Sequence, residues 1–107
     1  MTISIATVEA SLFQAHEGAY FQMSDDQGFS EKVYLKRCRE NPQCGVPGAK
    51  RVPFSLEFEA SEEGVPHFHV GDFSFSHPDI GLLGPVCVGR ILNPASPNLA
   101  LFQVVFG

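Results

Sequence analysis

Cys38, Cys44, His67 and His69 together supply two thiols and two imidazoles, the ligand types that zinc prefers in a closed tetrahedral site. Their spacing argues against one. Cys-x5-Cys is longer than the usual two to four intervening residues, and His-x-His fits a strand better than a finger helix. The four therefore read as free thiols and as surface or packing histidines, and no metal is assigned. His77 opens His77-Pro78-Asp79-Ile80-Gly81, where an imidazole can hydrogen-bond the backbone of the turn it begins. A ligand or catalytic role for it is the weaker alternative.

The carboxylate pairs offer little for acid–base chemistry. Glu57 and Glu59 are spaced for the wet face of a strand, Asp25-Asp26 suits a turn, and Glu62-Glu63 a charged loop tip. An acid–base pair needs one carboxyl in an apolar pocket, and none is placed that way by the pattern. No nucleophile elbow, phosphate loop or dinucleotide fingerprint occurs. Cys87, a small apolar residue within a strand, reads as core. No catalytic residue and no cofactor is assigned.

Charge is segregated along the chain. Lys32, Lys36, Arg37, Arg39, Lys50 and Arg51 set six bases against the single acid Glu40, a local charge of +5. The remainder holds one base against eleven acids, −10. The basic run is a candidate interaction patch, although folding can equally interleave it with the acids on a solvated surface. A net charge of −5 argues against general nucleic-acid binding. No apolar run approaches the roughly 18–20 residues that cross a bilayer, and no signal peptide is visible. With three cysteines, an odd number, the expectation is reduced thiols in the cytoplasm; export within a larger assembly is left open.

The elements that position these residues are mostly strands. Ten Phe and two Tyr favour a pleated, half-buried surface, while ten Gly and eight Pro force frequent turns. One short helix is expected over 7–17, capped by Thr7, ended by Gly18, and packed through Leu12 or Phe13. Period-two segments follow at 19–24 and 29–38, joined by a hairpin loop at 25–28, then at 52–59 and 68–77. The loop over 39–50 is long enough to be functional. Segments 82–92 and 99–106 are apolar on both faces, and Pro85 marks an edge or a bulge. Either the sheet closes on itself, with the helix covering part of it, or one face meets a partner. The expected architecture is a single domain over 1–107, mainly β and antiparallel. About six strands form a small barrel or roll, with one short N-terminal helix.

Phe54-x-Leu56-x-Phe58, then Gly71-x-Phe73-x-Phe75-x-His77-Pro78-x-Ile80-Gly81, then a strand ending Val104-Val105-Phe106, resembles a family of small uncharacterised bacterial proteins. The segment from His77-Pro78 to Gly81 is the distinctive part. Gly84-Pro85-Val86-Cys87-Val88-Gly89 departs from the family, which usually has a bulkier apolar strand there, and the 38–50 loop is this chain's own. Genes of the family commonly lie near phage-tail-like collar or fibre proteins. The resemblance therefore implies a structural or assembly role with other protein subunits, either copies of itself or phage-tail-like and fibre components. It implies no catalytic residue.

Two functions follow as expectations. The first is a non-catalytic assembly module that binds protein subunits through charge-segregated patches and a doubly apolar strand pair. The second is a β-barrel that holds an apolar or anionic small molecule inside, near the 39–51 loop.

Overall fold

A computed structural model describes residues 2–107 except 45, 46, 49, 50, 66 and 67, together with the backbone but not the side chain of Cys44. Six antiparallel strands close into a barrel: β1 Tyr20–Ser24, β2 Ser30–Glu40, β3 Phe54–Ser61, β4 Val70–His77, β5 Gly81–Ile91 and β6 Leu99–Phe106. Their order around the barrel is β1-β2-β3-β6-β5-β4, with β4 pairing back to β1. Closure satisfies the edge strands that an open sheet would leave for aggregation.

Alternation decides which side chains fill the interior. Phe54, Leu56 and Phe58 of β3, Phe73 and Phe75 of β4, and Ala100, Phe102, Val104 and Phe106 of β6 are all buried. Phe58 of β3 stacks on Phe75 of the non-adjacent β4 at 4.4 Å, across the barrel axis, while Phe54 stacks at 4.6 Å on Phe106, its register partner on the neighbouring β6. Such offset pairs add to the area each ring buries. The two apolar faces of β6 are thus unequal: one lines the core, while Val105 on the other is 66% exposed.

Two bulges re-aim the strands. In β2, Leu35 pairs with Phe58 and Arg37 with Glu57, which leaves Lys36 as the extra residue. Beyond it Arg37 faces out and Cys38 faces the core, the reverse of strict alternation from Val33 and Leu35. In β5, Leu83 pairs with Phe75 and Val86 with Phe73, so Gly84 and Pro85 together oppose Ser74. Of the two readings of Pro85, the bulge holds. Gly84 has φ +125°, and a Cβ there would lie 2.8 Å from the Cα of Ser74.

The helix is shorter than expected. α1 spans Ala10–Gln14, with Glu9 rather than Thr7 at its start and no side-chain cap. The Ser4 carbonyl accepts the N–H groups of Thr7 and Val8, forming a separate turn that turns Val8 inward. At the other end the Gly18 N–H donates to the Leu35 carbonyl at 2.8 Å, a tertiary bond that draws the chain into β1. Gly18 itself has φ +89°. Phe13 is fully buried between the rings of Phe54 and Phe106, at 6.0 and 6.2 Å, and plugs this end of the barrel. Leu12 is only half-buried and Ala15 is exposed.

β5 and β6 pair only over Gly89–Ile91 and Leu101–Gln103. Towards the plugged end they part, and the N-terminal segment bridges the gap. Ile3 donates its N–H to the Leu82 carbonyl at 2.7 Å, and Arg51 holds the rest. Its guanidinium donates to the carbonyl oxygens of Ile5 at 2.7 Å and Val8 at 2.8 Å, and twice to the Gly107 oxygen, at 3.1 and 2.6 Å.

Candidate functional site

The end of the barrel opposite α1 is open. Its rim is built by Glu62, Phe68 and His69, which lie between β3 and β4, and by the segment linking β5 to β6. Phe68 lies parallel to Phe102 at 5.5 Å, forming a floor over the core. Arg90 places its guanidinium 5.9 Å from the centroid of the same Phe102 ring and pairs with Glu62. Asn93 donates from Nδ2 to Glu59 Oε2 at 2.9 Å and to the Leu99 carbonyl at 3.3 Å, which ties the segment down. Between these parts is a cavity of about 750 Å³, with Phe68, Ile91, Leu92, Pro94 and Pro97 among its apolar walls and Glu62, Arg90 and Asn93 as fixed polar points.

Among the described residues no nucleophile is hydrogen-bonded to a general base. Glu57 and Glu59 face outward and pair with Arg37 at 3.9 Å and Lys36 at 3.2 Å.

The plugged end holds a second cluster. His16, in the turn after α1, donates from Nδ1 to the Leu12 carbonyl at 3.0 Å; a carbonyl only accepts, so this bond fixes the tautomer and leaves Nε2 bare. His77 accepts the Asp79 N–H on its own Nδ1 at 3.0 Å, inside the turn that it opens with Pro78 and that Gly81 closes at φ +97°. The two imidazoles meet edge to face at 4.9 Å, with Phe21 5.0 Å behind His77. One ligand atom from each of His16, His77 and Asp79 lies within 4.8 Å of the others.

Of the zinc-type residues, Cys38 stands near the plugged end beside α1, where its Sγ donates to the Ala10 carbonyl. His69 stands at the open end, so the barrel separates these two. His67 and the side chain of Cys44 lie outside the described residues. Burial, with Glu17 and Glu40 nearby, pushes the Cys38 thiol up to about 11. The reading of Cys87 as core is corrected: it opposes Asp72 on the outer face of β5 and is exposed, because the bulge at Gly84-Pro85 turns Val86 and Val88 inward instead.

Four of the six bases of the run stay together and Arg51 turns away. Lys32, Lys36, Arg37 and Arg39 share the outer face of β2, where Lys32 sits 5.2 Å from the Tyr20 ring centroid and Lys36 and Arg37 meet glutamates of β3. Arg51 is turned onto backbone carbonyls, and Lys50 lies outside the described residues. Beside the described part of the 39–51 loop lies a depression of about 220 Å³ lined by Glu9, Gln14, Glu40 and Arg51 among others.

No family model, curated protein or solved structure matches the chain.

Sequence reasoning passed over Arg90, Glu62 and Asn93 as site residues and did not single out His16. Arg90 was the detectable one. It is the lone base outside the 32–51 run, placed in an apolar strand. His16 had no local signal, since only barrel closure brings it to His77.

Proposed function

We propose that the protein is a non-catalytic binding module that takes an apolar or amphipathic small molecule in the open mouth of the barrel. The cavity of about 750 Å³ carries this reading. Ligand sites are typically concave, roughly 300–1,000 Å³, mostly apolar, and furnished with a few fixed polar groups, and barrel mouths are a common place for them. The Arg90–Glu62 pair offers both a donor fork and an acceptor, which suits a ligand with a hydrogen-bonding head more than one with a bare charge. The interior position near the 39–51 loop is set aside, because aromatic side chains fill the core there.

The test uses anilinonaphthalene sulfonate, an apolar fluorophore with one polar head. Saturable one-to-one binding to the native chain is expected. Leu92→Asp should weaken it at least tenfold, since Leu92 is 91% exposed on the rim and its loss leaves the core untouched. Val105→Lys, on the outer wall, should leave it unchanged. No binding, or binding indifferent to Leu92→Asp, would end this reading.

An assembly role is the second reading, and the incomplete β5–β6 seam favours it. Val105, Ile5 and Leu82 are 66%, 40% and 38% exposed on the elements that meet there. Backbone groups of parted strands can accept a further strand from another subunit. The resemblance to proteins encoded near phage-tail-like components points the same way.

A further inference from the structure

We propose that His16, His77 and Asp79 form a site for one divalent transition-metal ion, of the zinc, cobalt or nickel kind, at the plugged end of the barrel. This site lies at the end of the barrel opposite the open mouth. Two imidazoles and a carboxylate are a ligand set such ions accept, and with three protein ligands a fourth position stays open to solvent. One donor atom from each already lies within 4.8 Å of the others, so the side chains must draw in to reach a common ion at about 2.0–2.1 Å. Asp79 is exposed and both imidazoles are half-buried, so the ion has a path in from solvent and a partly dry seat.

The orientation of His16 is the strongest part of the case. A metal-bound histidine almost always donates its other ring N–H to a carbonyl, carboxylate or water, which sets the tautomer and aims the bare nitrogen. His16 has that arrangement without a metal: Nδ1–H to the Leu12 carbonyl, Nε2 left bare. His77 is different. Its Nδ1 accepts the Asp79 N–H, so the neutral ring carries its proton on Nε2. To ligate through Nδ1 it must release the Asp79 amide. To ligate through Nε2 its proton must move to Nδ1, which breaks the same bond. Either way the Asp79 N–H is freed when the ion binds, and this gives the proposal a specific signature. The ion would also link the turn after α1 to the β4–β5 turn, two segments distant in sequence.

The experiment titrates Zn²⁺ or Co²⁺ into the metal-free 107-residue chain, following stoichiometry by calorimetry and the Asp79 amide by NMR. One ion per chain is expected, with faster hydrogen exchange at the Asp79 amide and a rise of several degrees in Tm. His16→Gln and Asp79→Asn both change side chains in turns and leave the core intact. Each should weaken binding at least tenfold. The double variant Cys44→Ser/His69→Gln controls for ions held elsewhere and should bind as the native chain does. Absence of stoichiometric binding, binding unaffected by His16→Gln, or binding lost in the control variant would each overturn the proposal.

Discussion

Cys38 shows how a one-residue shift in register changes a side chain's chemistry. The extra residue at Lys36 turns Cys38 into the core, 7% exposed, with its N–H held by Glu17 Oε2 at 2.7 Å. Burial opposes the thiolate, and the carboxylates of Glu17 and Glu40 oppose it further, so the thiol rises from 9.0 to about 11. The sign follows directly. The folded chain keeps its proton at a pH where the unfolded chain has lost it. The associated stability is therefore complete below about pH 9 and declines as pH climbs towards 11. Two pH units correspond to at most about 2–3 kcal/mol. Denaturant melts at pH 8 and pH 10.5 should show this fall in the native chain and a smaller one in Cys38→Ala; equal falls would remove Cys38 as the cause. At pH 8, iodoacetamide should modify the exposed Cys87 well before Cys38.

At the scale of elements, Arg51 fastens the N-terminal segment across the parted ends of β5 and β6. Four hydrogen bonds reach three carbonyl oxygens from one planar fork, over the rings of Phe54 and Phe106 at 5.7 and 5.8 Å. A lysine ammonium has neither the fork nor the reach to serve all three. Arg51→Ala should cost about 2 kcal/mol, a Tm loss on the order of 10 °C, and Arg51→Lys should recover less than half of it. Thermal melts followed by circular dichroism decide this, and full recovery by lysine would reduce the clamp to a point charge. Much of the strand pattern was legible, because alternation at Phe54-Leu56-Phe58 and Phe73-Phe75 reflects burial directly. Both bulges and the clamp were less so. A bulge depends on the facing strand, and Arg51 looked like one more charge in a basic run until the fold brought Ile5, Val8 and Gly107 around it.

For the molecule as a whole, the separation of +5 from −10 along the chain is offset in part on folding. Lys36 and Arg37 lie opposite Glu59 and Glu57, and cross-strand pairs of this kind contribute up to about 1 kcal/mol each and leave little field at a distance. The open mouth was illegible in the sequence for a related reason: its parts come from the turn after β3 and the segment after β5, which meet only when the barrel closes. This alters what an assembly role would rest on. Two of the four bases on the β2 wall, Lys36 and Arg37, are paired with glutamates, whereas Val105 presents an apolar side chain beside a strand whose partner has turned away. A second copy adding along that seam would bury Val105 and satisfy the parted strands together. On the assembly reading, sedimentation at rising concentration should show self-association that Val105→Lys abolishes. Neutralising Lys36, Arg37 and Arg39 to glutamine should leave that association intact while lowering stability slightly. If the triple variant dissociates and Val105→Lys does not, the contact belongs to the β2 wall after all. A native chain that stays monomeric at every concentration removes the self-assembling form of the reading.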